Sequence, residues 1–136
     1  MANRDEWTEL HHLAYVYAAV ASSDGSITND ELDVFCKKLH QWNDDIEADQ
    51  LMQIVMAAVA ALGSDKQRHE AGYLRQSVEL IAGALDDDSR AAALDDLFAI
   101  AAADGTLEPG EGSLLLEIRE AWRADQEDHH SRRRLG

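Results

Sequence analysis

Apolar residues recur with a helical period along almost the whole length of this 136-residue chain. On the first such stripe, Leu10, Leu13, Tyr17 and Val20 follow one another at helical spacing. The chain has twenty-two alanines and a single proline, and no segment alternates apolar and polar residues as a half-buried strand would. The pattern therefore predicts an all-α fold.

Caps, glycines and the proline divide this pattern into six predicted helices. We expect them over residues 6–22, 29–41, 45–62, 66–84, 89–103 and 109–122. The third helix is expected to stop at Gly63, because glycine commonly follows the last helical residue. The sixth is expected to start at Pro109, because proline suits the first helical position.

The charge balance excludes one class of function. The net charge is −15, whereas a nucleic-acid-binding module needs a basic face for the phosphates. At 46% hydrophobic residues the chain is nonetheless too apolar to be an acidic disordered segment. We therefore expect a globular protein with an acidic surface that binds no nucleic acid.

Chain organisation and location follow from the same sequence. Residues 1–126 are expected to form one domain, and residues 127–136 a polar, basic C-terminal tail with Arg132, Arg133 and Arg134. No apolar stretch approaches the roughly 20 residues of a membrane-spanning helix, and no export signal is visible at the N-terminus. The lone Cys36 is compatible with a reducing compartment. We therefore expect a cytoplasmic protein without membrane insertion.

One segment of the chain occurs twice. Residues 17–31 align without a gap on residues 97–111, at an offset of 80. Each copy is the end of a small-residue helix, an Asp-Gly pair, and a Glu seven residues after the Asp. The repeat predicts two helix–Asp-Gly turn–helix units related by a pseudo-twofold axis.

The repeated turn invites comparison with a calcium-binding EF-hand loop. Glycine, an aliphatic residue and glutamate occupy the positions that the loop requires, but its first two ligand positions hold Val20 and Ser22 in the first copy. An ordinary EF-hand is therefore excluded. A structural explanation is also available, because Thr28 and Glu31 have the spacing of a helix capping box.

The pattern Ala-x-x-Asp-Gly-x-Ile/Leu-x-x-x-Glu, found once near each end of the chain, resembles the tellurite-resistance TerB family. This resemblance covers roughly residues 7–124. It implies a compact bundle of about six to seven helices in which acidic residues at the repeated turns bind a divalent cation. Carried over to this sequence, the candidate metal ligands are Asp24, Glu31, Asp104 and Glu111.

The leading functional hypothesis is a non-catalytic, TerB-like domain linked to tellurite or stress response, or to interaction with a protein partner. Carboxylate ligands favour calcium, magnesium or manganese over zinc. The alternative is a purely structural interaction domain without metal, in which the acidic turns only cap helices. No standard catalytic motif is visible.

Two further groups of residues resemble metal sites. Glu9-x-x-His12 and Glu127-x-x-His130 have the spacing found in di-iron helical bundles, but neither lies on an apolar stripe. The acidic runs 86–88 and 95–96 are expected to be solvated, because acids near a helix N-terminus are favoured by the helix dipole alone.

Overall fold

The computed structural model describes residues 7–22, 29–67, 72–102 and 109–122. Within these ranges the chain forms six helices and no strand, which confirms the all-α prediction. The helices are α1 (Glu9–Ala21), α2 (Asn29–His40), α3 (Ala48–Gln67), α4 (Gly72–Ala84), α5 (Asp87–Ala101) and α6 (Pro109–Ala121).

Helix α1 lies at the centre of the bundle and contacts each of the other five helices, α3 and α4 most extensively. Ten of its thirteen residues are buried, and from Leu13 to Ala21 no position faces solvent. A helix that is apolar on every side is a core helix rather than an amphipathic surface helix. The single stripe expected from the sequence was therefore too narrow, because small alanines allow neighbouring helices to approach all faces.

Helices α2 and α5 pack against α1 and against each other, and α6 contacts α1, α4 and α5. The ring of Tyr17 on α1 meets the ring of Phe35 on α2 edge to face, with 6.0 Å between centroids. Trp42 and Trp122 are buried just beyond the ends of α2 and α6. Both tryptophans therefore fix helix ends in the core.

The expectation that α3 stops at Gly63 is wrong, because the helix continues to Gln67. An interior glycine costs about 1 kcal/mol relative to alanine. Packing of the buried Leu62 offsets this cost, and so does the hydrogen bond from the Tyr15 hydroxyl to the buried Asp65 carboxylate. Tertiary contacts on both sides of the glycine thus hold the last turn in helical form.

The start of α5 also differs from the expected start near Ser89. The helix begins two residues earlier, and Asp86 is its N-cap. The Asp86 carboxylate accepts a hydrogen bond of 2.8 Å from the backbone N–H of Ser89. The sequence contains three successive aspartates here, and only the geometry of the cap identifies the first of them.

No helix in the described ranges combines the length and the apolar composition needed to cross a membrane.

Candidate functional site

The four predicted metal ligands are described to different extents. Asp24 and Asp104 lie outside the described residues, as does the side chain of Glu111, although its backbone belongs to α6. Glu31 is described fully and lies in the first turn of α2. The structure therefore gives the surroundings of one candidate ligand.

Glu31 is a buried acid, with 0% of its surface exposed. Its neighbours along the buried face of α2 are Phe35 and Leu39, at spacings of four and eight residues. The position in the first turn is favourable for a carboxylate, because the N-terminus of a helix carries partial positive charge. Burial of a carboxylate is expensive unless hydrogen bonds or a cation compensate the charge.

The two copies of the repeat end and restart their helices at matching places. Helix α1 ends at Ala21 and α5 at Ala101, while α2 begins at Asn29 and α6 at Pro109. The helix bounds therefore differ by the offset of 80 that relates the two sequences. Glu31 and Glu111 are accordingly both the third residue of a helix, while the pseudo-twofold axis itself stays a prediction.

The C-caps of α1 and α5 also have the same geometry. The backbone N–H of Ser22 points to the carbonyls of Ala18 and Val20, and that of Ala102 points to the carbonyls of Phe98 and Ile100. The dihedral angles are similar, at φ −104° and ψ 11° for Ser22 and φ −91° and ψ 1° for Ala102. The residue that ends the first helix of each repeat copy thus has the same backbone conformation.

The described ranges contain no group of three or more His, Cys, Asp or Glu side chains placed to hold a metal ion. His12, of the Glu9-x-x-His12 spacing that the sequence argued against as a di-iron element, has its Nδ1 3.0 Å from the hydroxyl oxygen of Ser77 on α4. The second element of that spacing, Glu127 and His130, lies outside the described residues.

The interior holds a polar cluster that the sequence analysis did not predict. The Tyr17 hydroxyl donates to Oδ2 of Asp96 at 2.6 Å, and Nε1 of Trp42 donates to the same oxygen at 3.2 Å. Trp42 Nε1 is also 3.0 Å from the Tyr17 hydroxyl oxygen. On the other side, Nζ of the partly exposed Lys38 lies 4.0 Å from Oδ1 of Asp96. The cluster joins α1, α2, α5 and the segment after α2.

The expectation that Asp96 is solvated is wrong, because only 1% of its surface is exposed. The sequence does contain a signal for this burial. Asp96 lies one turn after Ala92 and one turn before Ile100, on the buried face of α5. The neighbouring Asp95 is exposed, as expected. The register of the apolar residues, rather than the acidic pair, identifies the buried member.

A second buried carboxylate lies at the end of α3. Asp65 is 5% exposed and accepts a hydrogen bond from the hydroxyl of Tyr15 on α1. The ring of Tyr15 also packs against the indole of Trp7, with 5.8 Å between centroids. Two tyrosines of the central helix thus each bind one buried aspartate, which ties α1 to α3 and to α5.

Burial changes the acidity of two other side chains. It lowers the pKa of His11. It raises the pKa of the Cys36 thiol, and the negative charge of Asp33 raises that pKa further. A raised thiol pKa disfavours the reactive thiolate at neutral pH. Cys36, partly buried against the core, is therefore interpreted as a packed, unreactive residue.

A family model described as "Tellurite resistance protein TerB" matches residues 10–134. No curated protein and no solved structure gives a match. The matched region covers nearly the whole chain and includes both copies of the Asp-Gly motif. The chain therefore belongs to the TerB family of tellurite resistance proteins.

Proposed function

We propose that this chain is a non-catalytic, cytoplasmic TerB domain that binds a divalent cation and takes part in the response to tellurite or related stress. The ligands are the carboxylates of Asp24 and Glu31 in the first repeat and of Asp104 and Glu111 in the second. Oxygen ligands of this kind favour calcium, magnesium or manganese.

The burial of Glu31 is the observation that supports this proposal most strongly. A helix cap on the surface needs no burial, whereas Glu31 is wholly removed from solvent. Glu31 is seven residues after Asp24 in the sequence and is the third residue of α2. Only a short segment of chain therefore separates it from the Asp-Gly pair. A carboxylate in this position is suited to ligate a hard cation from within the fold.

The buried face of α2 connects this position to the interior of the bundle. On this face, Phe35 is one turn after Glu31 and packs on Tyr17 of α1. Just beyond the end of α2, the Trp42 indole donates a hydrogen bond to Asp96 of α5. A bound cation would neutralise the clustered acids at the start of α2. Because α2 contacts both α1 and α5, its position would then influence the surface that a protein partner recognises.

The alternative function is a purely structural interaction domain. Because α2 begins at Asn29, Thr28 immediately precedes the helix and Glu31 is the third helical residue, the arrangement of a capping box. On this alternative, Thr28→Ala lowers the free energy of unfolding by roughly 1 kcal/mol, whether or not a metal ion is present.

Calorimetric titration with calcium, magnesium, manganese and zinc distinguishes the two. We expect saturable heat with at least one of the first three cations, and its loss in the double variant Asp24→Ala with Asp104→Ala. Asp49→Asn is a matched control, because Asp49 is an exposed acid in the first turn of α3. Absence of heat with every cation, together with a melting temperature that added metal does not change, would exclude the proposal.

A further inference from the structure

The solvent-facing side of α3 is uncharged over about three turns. No charged residue occurs between Gln50 and Ser64, in a chain of which 29% is charged. Met52, Met56, Ala60 and Gly63 are all exposed and follow at spacings of four, four and three residues. At 1.5 Å per residue they form one strip about 17 Å long.

This strip is separate from the face that α3 buries in the core. The buried side of the helix carries Leu51, Val55, Ala58 and Leu62. Met52 and Met56, by contrast, are 44% and 56% exposed, although each could have been a polar residue without loss of core packing. Paired exposed methionines are typical of surfaces that adapt to an apolar helix, because the thioether side chain is flexible and polarisable.

The second half of the strip offers a shallow surface for close approach. Ala60 and Gly63 project little, and a Cβ atom added at Gly63 meets no atom within 4 Å. A partner helix can therefore lie close to the α3 backbone at this end while the methionines pack along its sides.

The charges at the other end of the strip indicate the chemistry of the partner. Asp44, Asp45, Glu47 and Asp49 are all exposed where the chain enters α3. The chain as a whole has a net charge of −15, which opposes association with a second copy of itself. Charge complementarity instead favours a basic partner.

We propose that α3 is a docking surface for a basic amphipathic helix of another protein. The apolar face of that helix covers Met52, Met56, Ala60 and Gly63, and lysines or arginines at one of its ends meet the acidic group Asp44, Asp45, Glu47 and Asp49. None of these residues is one of the four proposed cation ligands, so the docking can be tested without a bound cation.

A synthetic peptide of about 18 residues tests this docking, since that length can present a full apolar face. The peptide carries leucines on one helical face and a cluster of lysines at one end, and its affinity is measured by fluorescence anisotropy with a chelator present. Met52→Glu and Met56→Glu should each weaken binding about tenfold. Leu80→Glu and Leu116→Glu are matched controls, because these leucines on α4 and α6 are 42% and 60% exposed; they should leave binding unchanged.

Two further sets of variants test the acidic group and the shallow end of the strip separately. Asp44→Asn combined with Glu47→Gln should weaken binding a fewfold and reduce its dependence on salt, because exposed rim charges act mainly through screened attraction. Ala60→Gln adds bulk at an exposed helical position without charge, and should weaken binding even if a methionine variant proves unstable.

Several results would overturn the proposal. These are no binding of the lysine peptide, equal binding of a peptide with glutamates in place of the lysines, and equal losses in the α3 variants and the Leu80 and Leu116 controls. Sedimentation that shows a dimer of this chain, abolished by Met56→Glu, would also overturn it, since the face would then belong to a second copy. The cation titration described above is unaffected by any of these outcomes.

Discussion

The hydroxyl of Tyr17 and the carboxylate of Asp96 form a hydrogen bond of 2.6 Å inside the bundle, although the residues are 79 positions apart in sequence. Tyr17 belongs to the helix that precedes the first Asp-Gly pair, and Asp96 to the helix that precedes the second. The bond therefore couples the two repeated units. Trp42 completes it by donating to the same carboxylate.

Removal of Asp96 should destabilise the protein strongly. Asp96→Ala removes the buried carboxylate that accepts from both the Tyr17 hydroxyl and the Trp42 indole. We expect the free energy of unfolding to fall by about 2 to 4 kcal/mol, measured by urea denaturation. The adjacent Asp95→Ala is the control, because Asp95 is exposed and should change stability little. Equal effects of the two substitutions would show that the buried cluster contributes nothing specific.

Gly63→Ala tests the continuity of α3. The residue is in the interior of the helix and an added methyl group meets open space. Alanine should therefore raise the free energy of unfolding by roughly 0.5 to 1 kcal/mol. If the helix instead ended here with glycine in the left-handed conformation, the same substitution would lower stability. Thermal or urea unfolding decides between the two signs.

His11 should make the stability of α1 depend on pH. The backbone N–H of Thr8 donates to Nδ1 of His11 at 3.2 Å, so this capping contact requires the neutral ring. Burial lowers the pKa of His11 below its ordinary value of 6.5. The unfolded chain therefore binds a proton more readily, and the contribution of His11 is complete above pH 6.5 and is lost as the pH falls toward the lowered pKa.

His11→Gln removes this titration while keeping a side chain that can serve in a capping box. Unfolding free energies of the parent and the variant are compared across the window from about pH 7.5 to about pH 5. The difference between the two proteins should change through this window, with the parent losing more stability at the acidic end. A difference that is constant with pH would contradict the assigned role of the neutral ring.

Cys36 should react slowly with thiol reagents in the folded protein. Burial raises its pKa, and Asp33 raises it further, so little thiolate is present near neutral pH. Asp33→Asn should speed the reaction by lowering the thiol pKa, whereas Asp30→Asn, an exposed acid in the first turn of the same helix, should not. Rates are followed with a chromogenic disulfide. Fast modification of the folded parent would contradict the interpretation of Cys36 as a partly buried, unreactive residue.

Much of the fold can be predicted from the sequence, because helical periodicity is a local property. The starts of α2 at Asn29 and of α6 at Pro109 are where the sequence pattern expects them. The end of α3 is not, because the continuation past Gly63 depends on the contact of Asp65 with Tyr15, fifty residues away. Long-range contacts of this kind leave no trace in a local pattern.

The candidate site, like the fold, can be predicted from the sequence only in part. The repeat and the family motif identify Glu31 as a residue to test, but its complete burial is a tertiary property. Asp96 is expected to be solvated on the argument that the helix dipole favours acids near a helix N-terminus, but it lies in the interior of α5, and only the register of that helix places it on the buried face. The charge of a residue thus predicts its exposure poorly when the residue occupies a position on the apolar face of a helix.

The most direct test of the proposed function is the effect of calcium or manganese on the melting temperature of the parent protein and of Glu31→Gln. The substitution removes the charge but keeps the size of this buried side chain. The cation should raise the melting temperature of the parent, since a ligand at about 100 times its dissociation constant stabilises the folded state by about 2.7 kcal/mol. It should have little effect on the variant. An equal shift in both proteins, or no shift in the parent, would contradict cation binding at Glu31.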